Sequence, residues 1–422
     1  MNLKKHDLVV VGGGPAGLIA AGFAASDGLK VLILEQNQKT GRKLSITGKG
    51  RCNLTNLCTV PEFLKELSCN KNMAKPALLY FPPEKLVEFI NQIGVETVLE
   101  RGRRVFPASG SAPELSLKLE KWCKNQGVTI YTDNKVIEII VDKEQVVGVK
   151  TSKNQFIETN VVLLATGGKS YPRTGSDGNG YQLAKYLGHT IVPPRQALVP
   201  LETKEEISKT LTEITLKNVN ASLWVNDKKE KEEFGELTFT ETGLGGPIII
   251  TLSLAANDAL LQGKKVEITL DLKPALDENT LDIRLLRELN ENKNFPISQT
   301  IRQLLPGPMV GFCLKCIEID GNKKGSDISS QERKKLKFWL KNCKFTIIGT
   351  RSWDEAIVTA GGIDLQEVNC KTMESKIIKG LFFAGEILDF DANTGGYNLQ
   401  LAFSTGKLAA WEISKQFKIR EL

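Results

Sequence analysis

The first apolar runs of the chain have the lengths of a strand, a helix and a second strand. Asp7–Val11 and Lys30–Leu34 are short aliphatic runs, whereas Leu18–Ser26 between them holds small apolar residues over a helical length. Glycines and turn-forming residues separate the runs. This order predicts a β-α-β unit, from which parallel sheets are built.

Three later runs have the length and spacing of paired strands. They cover Val136–Val141, Val146–Thr151 and Gln155–Asn160, and the charged or polar residues between them are turn-like. The apolar segment Val161–Ala165 follows directly. We therefore predict an antiparallel meander that leads into a buried strand.

The middle of the chain carries strand-like runs first and helical periodicity afterwards. The predicted strands are Leu216–Val225, Gly235–Phe239, Ile248–Ser253 and Lys265–Leu272, and the predicted helices are Thr280–Glu291, Ser298–Leu305 and Gln331–Lys341. A predicted strand at Phe345–Ile348 precedes the last segment, where we expect a strand at Gly380–Ala384 and a helix at Leu399–Lys415.

Composition and charge are those of an ordinary globular protein. The 422 residues are 41% hydrophobic and 25% charged, with a formal net charge of +7. Lysines mostly interleave with acids, as in residues 226–233, where we expect a solvated turn or helix face. The most basic segment is Gln331–Lys344. An amphipathic surface helix is favoured there over an RNA- or membrane-facing one.

The cysteines and the first apolar stretch bear on the compartment. Eight irregularly spaced cysteines without a signal peptide favour a reducing cytoplasm over a disulfide framework. Glycines and a proline interrupt Leu8–Ala25, so we expect no membrane span. Because the first strand begins almost at once, we expect no targeting segment before it. The expected location is cytoplasmic.

The first strand leads directly into a G-x-G-x-x-G fingerprint, Gly12-Gly13-Gly14-Pro15-Ala16-Gly17. The first glycine permits the tight turn, the second lets the backbone approach a pyrophosphate, and the third lets helix and strand pack closely. The helix amino terminus favours the anion. Glu35 ends the second strand, where an acid hydrogen-bonds ribose hydroxyls. This context predicts a bound dinucleotide rather than a structural glycine turn.

The rest of the chain favours FAD as that dinucleotide. Gly41-Arg42-Lys43 supplies cations within reach of its phosphates, and the meander before Ala165-Thr166-Gly167-Gly168 resembles FAD domains of the glutathione reductase type. Gly385-Glu386 resembles their third motif, where an acid, usually Asp, holds the ribitol. No second G-x-G-x-x-G with a matching acid follows. We therefore predict FAD and no dedicated NAD(P) domain.

The stretch Leu44–Cys58, LSITGKGRCNLTNLC, raises the question of a redox dithiol. Cys52 and Cys58 are one residue further apart than the paired cysteines of flavin disulfide reductases. We therefore predict a flavin cradle in which Gly48, Gly50, Arg51 and Asn53 contact the flavin and its phosphates. Cys52 contacts the cofactor in this prediction without cycling through a disulfide.

Four long motifs carry a resemblance to a known family. They are GRKLSITGKGRCNLTN, ATGGKSYPRTGSDGNGY, VTAGGIDLQEVNCKTMESK and GLFFAGEILDFDANTGGYNLQLAFSTG, in this order over nearly the whole chain. With them the chain resembles the BaiN-like flavoproteins, a group that also contains aminoacetone-oxidase-type FAD enzymes. The resemblance implies an FAD-dependent oxidoreductase, with reduction of an activated carbon–carbon double bond as one candidate reaction.

The resemblance also implies the fold class, an α/β protein with a glutathione-reductase-like, FAD-binding Rossmann domain, an inserted β-rich domain and a small helical domain. Pro193-Pro194 and Pro200 punctuate the end of the first segment. The predicted boundaries are 1–194 and 355–422 for the FAD domain, 195–275 for the β-rich domain, 276–342 for the helical insert and 343–354 for a strand that returns to the β-rich domain.

The predicted cofactor site collects these motifs with the glycine-rich start of the last helix. In this fold class, that helix amino terminus points at the flavin's pyrimidine edge, where its positive end stabilises an anionic reduced flavin. The predicted cofactor-binding residues are Gly12, Gly14, Pro15, Ala16, Gly17, Glu35, Gln36, Arg42, Lys43, Gly48, Gly50, Arg51, Cys52, Asn53, Val136, Ala165, Thr166, Gly167, Gly168, Gly385, Glu386, Gly395, Gly396, Tyr397 and Asn398.

Candidate acids are few. Tyr171 and Arg173 follow the ATGG turn, and Glu241 stands where relatives have the histidine of an FTHxGLSGP-like motif, with Gly245 in place of a serine. If that histidine handles protons or substrate, the role is altered or absent here. Tyr171, Arg173 and Glu241 are the catalytic candidates, although structural hydrogen bonding is favoured for Tyr171 and Arg173.

The histidines and the Cys-x-x-Cys pair give no metal site or histidine-based triad. His6 and His189 are the only histidines, and His189 stands in a helix-end context that favours capping. Cys313 and Cys316 share one apolar helix face without a second pair at zinc-site spacing. We therefore predict no metal.

Three classes of function stay open. The leading one is an FAD-dependent oxidoreductase that acts on a small organic substrate, with NAD(P)H as a transient electron donor or dioxygen as the acceptor. The second is an RNA-modifying flavoprotein, which needs a basic surface beside the flavin. The cations look dispersed apart from Gln331–Lys344, so we expect no nucleic-acid partner. The third is a flavin-binding protein without turnover.

Overall fold

The computed structural model describes residues 5–68, 71–207 and 209–420. Contacts divide the chain into two compact units. Met1–Ala197 and Trp353–Leu422 form one, and Leu198–Ser352 forms the other. The first unit is therefore discontinuous in sequence.

The first segment holds most of the strands and helices of its unit. The strands are β1 (Leu8–Val11), β2 (Val31–Leu34), β3 (Thr55–Asn56), β4 (Thr97–Glu100), β5 (Arg104–Pro107), β6 (Thr129–Tyr131), β7 (Val136–Asp142), β8 (Gln145–Thr151), β9 (Phe156–Glu158), β10 (Val162–Leu164) and β11 (Ile191–Ala197). The helices are α1 (Pro15–Ser26), α2 (Arg42–Ile46), α3 (Val60–Lys65), α4 (Lys71–Tyr80), α5 (Pro83–Gln92), α6 (Ala112–Asn125) and α7 (Asn179–Tyr186).

The second unit and the last segment complete the chain. The second unit contains strands β12 (Leu201–Thr203), β13 (Thr215–Val225), β14 (Lys228–Thr240), β15 (Gly243–Gly245), β16 (Val266–Asp271) and β17 (Cys343–Thr350), and helices α8 (Pro247–Leu261), α9 (Glu278–Glu291), α10 (Ile297–Thr300), α11 (Gly307–Ile317) and α12 (Ser330–Lys341). The last segment adds β18 (Val358–Ile363), β19 (Leu381–Phe383) and α13 (Tyr397–Arg420).

A parallel sheet with the strand order β19-β10-β1-β2-β6 is the centre of the first unit. Strands β1, β2, β10 and β19 are fully buried, as expected for a parallel sheet covered on both faces. The predicted β-α-β unit and the meander β7-β8-β9 are both present, so these predictions are confirmed. Helix α13 packs on α1 so closely that a Cβ at Gly406 would lie 2.4 Å from the carbonyl oxygen of Ala16.

Two smaller sheets complete the first unit. β11 pairs with β18 in antiparallel fashion, and β3-β5-β4 form an antiparallel sheet. The second of these places residues near Thr55 beside residues near Val105.

A closed barrel with the strand order β12-β15-β14-β13-β16-β17 forms the second unit together with α8 to α12. One hydrophobic cluster joins Phe239 and Phe345 of the barrel to Leu252 of α8, Leu285 of α9 and Leu336 of α12. The sequence predicts a β-rich domain and a separate helical domain. In the structure the helices bury their apolar faces in the same core as the barrel, so the two are not separate bodies.

One local prediction was wrong, and two others were confirmed only in part. Ile248–Ser253 begins helix α8 instead of forming a strand, because the buried positions continue at helical spacing to Ala259 after a start at Pro247. Ser298–Leu305 is a short helix, α10, followed by a 3-10 turn at Ile301–Gln303. Residues 226–233 turn at Asn226 and Asp227 and then enter the exposed start of β14.

Candidate flavin-binding site

The glycine turn between β1 and α1 has the geometry of an anion-binding site. Gly12 has φ +104°, and a Cβ there would lie 2.6 Å from the carbonyl oxygen of Ala165. A Cβ on Gly17 would lie 2.0 Å from the carbonyl oxygen of Gly12, so only glycine permits this approach of helix and strand. A Cβ on Gly14, in contrast, would meet no atom of the described residues within 4 Å.

The amino terminus of α1 is open to a ligand. No side chain caps the helix, its first turn contains no acid, and Pro15 stands at the start of the helix, where a missing N–H costs nothing. The backbone N–H groups of Ala16 and Gly17 therefore lie in the first turn, where helical carbonyls do not satisfy them. This arrangement favours a phosphate beside Gly14.

Glu35 is held beneath the same turn. Its side chain is buried, one carboxylate oxygen accepts a hydrogen bond from the Gly13 N–H (2.8 Å), and the other accepts from the Asn37 N–H and Nδ2 (2.8 and 2.7 Å). The Arg42 guanidinium donates to Asn37 Oδ1 (2.7 Å) and is exposed. Gln36 Nε2 donates to the Gly175 carbonyl. The acid that we expect at the ribose is thus oriented by the backbone of the glycine turn.

The strand β10 delivers the second part of the site. The Ala165 N–H donates to the Val11 carbonyl (2.9 Å), which places the ATGG turn beside the glycine turn. Thr166 Oγ1 is buried and lacks a hydrogen-bond partner among the described residues. The Val136 carbonyl at the start of β7 accepts a hydrogen bond from Asn179 Nδ2 (3.0 Å). Thr166 therefore has a polar atom available to a ligand.

Glu386 is the centre of a carboxylate network that we define as Glu386, Lys43, Ser170 and Thr359. One carboxylate oxygen accepts from Ser170 Oγ (2.9 Å) and from the Thr359 N–H (2.8 Å). The other pairs with the Lys43 ammonium, which also donates to Ser170 Oγ. A Cβ on Gly168 would lie 2.3 Å from Thr359 Oγ1 and 3.1 Å from a Glu386 oxygen. Residues from four segments that are far apart in sequence therefore meet in this network.

The cradle loop, defined as Thr47–Asn53, has an irregular backbone. Besides Gly48 and Gly50, Lys49 (φ +56°) and Cys52 (φ +59°) adopt left-handed conformations, which are strained for residues with a side chain. The Cys52 N–H donates to the Thr47 carbonyl (2.9 Å). Asn53 Oδ1 is buried without a hydrogen-bond partner among the described residues. The loop is therefore closed on itself and presents an acceptor that has no donor among the described residues.

Cys52 and Cys58 are both free, buried thiols. Burial raises the pKa of Cys52 to about 12 and also raises the pKa of Cys58, where it outweighs the nearby Arg103. Because the thiolate is the nucleophile in disulfide exchange, neither thiol is activated. These properties support the prediction of a cradle rather than a redox dithiol.

The start of α13 lies against the strand that follows the cradle loop. A Cβ on Gly396 would lie 2.5 Å from the backbone carbon of Thr55. Asn56 Nδ2 donates to the carbonyls of Gly102 (3.0 Å) and Gly395 (3.4 Å). The glycines before α13 and the cradle loop therefore belong to one local structure.

The side chains at the start of α13 are engaged with protein groups. The Tyr397 ring packs edge-to-face on Phe63, and burial raises the pKa of its phenol to about 12. The Asn398 amide both accepts from the Ala392 N–H and donates to the Ala392 carbonyl. Cofactor contacts of Tyr397 and Asn398 stay predictions. Arg51 is also engaged, in an ion pair with Glu100.

The catalytic candidates are divided between the two units. Tyr171 lies in the first unit with φ +52°, its N–H donates to the Trp353 carbonyl (2.9 Å), and burial raises the pKa of its phenol. The Arg173 side chain is 89% exposed and makes a long ion pair with Asp354 (3.5 Å). Glu241 is an exposed residue between β14 and β15 of the second unit. Their catalytic roles stay predictions.

Sequence reasoning missed several residues of the site. Asn37, which holds Glu35, and Thr359, which holds Glu386, are not among the predicted residues, and neither is Ser170. Each directly follows or lies within a recognisable motif, which is the signal available for them. His189 is a structural residue, since its ring is buried between Glu367 (3.1 Å) and Ser375 (2.9 Å).

Other candidate features lie away from this site. A pocket of about 490 Å³ is lined by Phe23, Phe89 and Trp122 together with Lys118 and Lys121, and it contains none of the predicted cofactor-binding residues. Within residues 5–68, 71–207 and 209–420, no three His, Cys, Asp or Glu side chains form a group that could hold a metal ion. In the same ranges no helix has the length and apolar character that a membrane crossing requires.

The residues present fit a flavin dinucleotide. The open space at Gly14, the uncapped start of α1, and the buried oxygens of Thr166 and Asn53, which have no partner among the described residues, offer hydrogen-bond donors, acceptors and room for a ligand. Together with the parallel sheet, the inserted meander and the return of β19, they define an FAD-binding Rossmann protein of the glutathione reductase type.

The chain belongs to the HI0933-like Rossmann family. The profile described as "HI0933-like protein Rossmann domain" matches residues 6–412. The chain is 32% identical to the 3-dehydro-bile acid delta(4,6)-reductase of Clostridium scindens, over 95% of this chain and 97% of the relative. It is 30% identical to the ribosomal RNA dihydrouridine synthase of Haemophilus influenzae, over 97% of this chain and 98% of the relative. The predicted resemblance to BaiN-like flavoproteins is confirmed.

A solved structure agrees in fold. The 3-ketosteroid delta1-dehydrogenase of Sterolibacterium denitrificans superposes with a TM-score of 0.54, at 13% identity, over 98% of this chain and 100% of that chain. At this identity the similarity concerns the fold alone. Family and relatives together make the chain a member of a family of FAD-dependent oxidoreductases.

Proposed function

We propose that this protein is an FAD-dependent reductase that saturates a carbon–carbon double bond conjugated to a carbonyl group, with NAD(P)H as the electron donor. In the overall reaction NAD(P)H gives a hydride, solvent gives a proton, and the double bond takes up both. The products are NAD(P)⁺ and the saturated carbonyl compound. Substrate and reaction are proposals that rest on the site and on the relatives together.

The observation that carries the proposal is a reaction type shared by two relatives that each align with nearly the whole chain. A delta(4,6)-reductase of a 3-dehydro steroid and a dihydrouridine synthase both remove a carbon–carbon double bond that is conjugated to a carbonyl. Their substrates differ in size, polarity and charge. The common element is the chemistry at the flavin, which the cofactor scaffold supports.

The chain's own residues have defined tasks in this reaction. When bound, FAD supplies two-electron hydride transfer. The amino terminus of α1 beside Gly14 would hold the pyrophosphate, and Glu35 would bind ribose hydroxyls. The amino terminus of α13 at Tyr397, whose first turn contains no acid, would stabilise negative charge on the flavin by its positive dipole end. The buried oxygens of Thr166 and Asn53, which have no partner among the described residues, would hydrogen-bond to the cofactor.

Tyr171 is the leading proton donor in the proposal. Saturation of a conjugated double bond requires a proton on the carbon next to the carbonyl once hydride has added to the far carbon. Tyr171 lies just after the ATGG turn, and its phenol, whose pKa burial raises, carries a proton at neutral pH that it can donate. The family's histidine is replaced by Glu241 in the second unit, so proton transfer is not assigned to that position.

The test combines flavin spectroscopy with product analysis. The purified protein is reduced anaerobically with NADH or NADPH, and a 3-oxo-4,6-diene steroid or a uridine-containing RNA is then added. Reoxidation of the flavin together with a gain of two hydrogens in the product supports the proposal. Reoxidation by dioxygen but by neither compound contradicts it, and so does failure to bind FAD. Tyr171→Phe is expected to slow the reoxidative half-reaction while the reductive half-reaction with NAD(P)H is unchanged.

A further inference from the structure

We propose that an arginine surface beside the flavin site, defined as Lys49, Arg51, Arg101, Arg103 and Arg104, binds the phosphate backbone of an RNA substrate. This inference rests on the proposed function and narrows its substrate class. It differs from the sequence expectation, in which the cations look dispersed and no nucleic-acid partner is expected. In the tertiary structure these five cationic residues lie together on one surface.

Pairing of β3 with β5 brings the surface together. Lys49 and Arg51 belong to the cradle loop just before β3, and Arg101–Arg103 form a 3-10 turn that leads into β5 at Arg104. The Leu57 N–H donates to the Arg103 carbonyl (2.8 Å), and Asn56 pairs with Arg104. The guanidinium carbons of Arg51 and Arg104 lie 4.6 and 5.8 Å from the centroid of the same ring, that of Phe106. Residues about fifty positions apart therefore form one patch.

The patch carries an excess of positive charge on exposed side chains. All five cationic residues are exposed. Arg103 pairs with Glu62 and Arg51 with Glu100, which leaves three charges of the patch without a counterion among the described residues. In the part of the chain that the structure describes, no carboxylate pairs with Arg101 or Arg104. Several separated, exposed cations suit a polyanion better than one compact anion.

The backbone of the Arg101–Arg103 turn is held in one conformation. Gly102 (φ +75°) and Arg103 (φ +61°) are both left-handed, which is strained for arginine. The two-point ion pair of Arg103 with Glu62 (3.0 and 3.2 Å) and the hydrogen bond from Leu57 hold this conformation. A preorganised cationic turn loses little entropy when it binds phosphates.

The surface lies beside the candidate flavin site. Asn56 Nδ2 joins the turn to the start of α13 by donating to the carbonyls of both Gly102 and Gly395. Arg51 is itself part of the cradle loop. Phosphates bound here would hold a single-stranded segment so that an adjacent base reaches the flavin, as enzymes that act on bases require. A uracil offers the conjugated double bond of the proposed reaction.

The most basic segment of the sequence does not offer a comparable surface. On α12, Arg333 pairs with Asp282 and Lys337 with Glu278, and Lys341 pairs with Asp271. These cations stabilise the second unit by contacts within it. Lys334 and Lys335 stay exposed and make a matched control, because they allow the same number of charges to be removed elsewhere.

The experiment measures binding of a fluorescein-labelled single-stranded RNA of about 20 nucleotides to the holoprotein over a range of salt concentrations. We expect Arg101→Gln/Arg104→Gln to weaken binding about tenfold and to lower the salt slope by about 1.4, since each phosphate contact to a single strand contributes about 0.7. Lys334→Gln/Lys335→Gln is expected to change affinity less than about twofold by the same reasoning. FAD content and melting temperature check the fold of both variants.

Three results would overturn the inference. They are an equal loss of affinity in both variants, wild-type binding that is absent or insensitive to salt, and binding to phosphatidylglycerol vesicles in place of RNA. Because RNA binding is measured at equilibrium without turnover, its failure is distinct from a failure of the proposed reductase activity. A protein that reduces the steroid diene but does not bind RNA would leave the proposed reaction standing and this inference refuted.

Discussion

Glu386→Gln tests whether the carboxylate network holds the flavin site together. The substitution keeps the shape of the side chain but removes its charge and places an amide beside the Lys43 ammonium. The wild-type carboxylate accepts three donors, from Lys43, Ser170 and Thr359, and the Lys43 and Glu386 side chains are only 24% and 20% exposed. Because the network joins separate segments of the chain, its loss is expected to affect the structure of more than one loop.

The expected cost follows from burial. Breaking a fully buried ion pair costs about 3–5 kcal/mol, and an exposed pair contributes about 0–1 kcal/mol. At one-fifth exposure we expect about 2 kcal/mol for Glu386→Gln, because the Ser170 and Thr359 donors retain one amide oxygen as an acceptor. Lys43→Met is expected to cost a similar amount. The double variant is expected to cost about 1–2 kcal/mol less than the sum of the two.

The assay is urea unfolding of the apoprotein, followed by hydrogen exchange of the β10 and β19 amides as reporters of the first unit. FAD affinity is measured in parallel. If Glu386 also binds the ribitol, Glu386→Gln weakens FAD binding more than Lys43→Met does. Costs that add within about 0.5 kcal/mol would show that the pair carries no coupling energy and would refute the reasoning. Equal FAD affinities of the Glu386→Gln and Lys43→Met variants would contradict a contact between Glu386 and the ribitol.

Three further predictions follow from the same unit. Gly17→Ala is expected to lower the free energy of unfolding by about 3 kcal/mol, because its Cβ would lie 2.0 Å from the Gly12 carbonyl oxygen. Gly14→Ala, in contrast, should leave the thermal unfolding midpoint unchanged and weaken FAD binding in a fluorescence titration. Equal unfolding midpoints of the two variants would contradict this prediction. Cys58→Ser is expected to leave anaerobic flavin reduction by NAD(P)H intact. A loss of turnover would instead support a redox dithiol of Cys52 and Cys58. Burial lowers the pKa of His189 below 6.5, so the unfolded chain takes up the proton first and stability falls as pH drops through about 6.5. His189→Gln should lack this part of the fall in urea midpoints between about pH 7 and about pH 5.5, and a slope equal to that of the wild type would count against it.

Local pattern was sufficient for much of the first unit. The glycine turn could be predicted from neighbouring residues alone, because the steric requirements for glycine at positions 12, 14 and 17 arise within one β-α-β unit. The meander was predictable because turn residues and strand lengths alternate over a short span. The family motifs extended these predictions to β19 and the start of α13.

Local pattern failed where the deciding neighbours were distant. Ile248–Ser253 is rich in β-branched residues, yet it begins α8, because its buried face continues to Ala259 in the core of the barrel unit. The predicted helical insert likewise shares that core. Propensity over six residues cannot report on packing that depends on the rest of the unit.

The sequence by itself determined the class of protein, namely a Rossmann flavoprotein with a glycine turn, a ribose-binding acid and a cradle loop of unusual composition. Only the tertiary structure decided what surrounds these motifs. Glu386 meets Lys43 across 343 positions, and β3–β5 pairing sets Arg51 beside Arg104. Periodicity encodes which face of an element is buried, whereas charge partners and surface patches depend on which elements become neighbours. The proposed RNA-binding surface rests on that second kind of information.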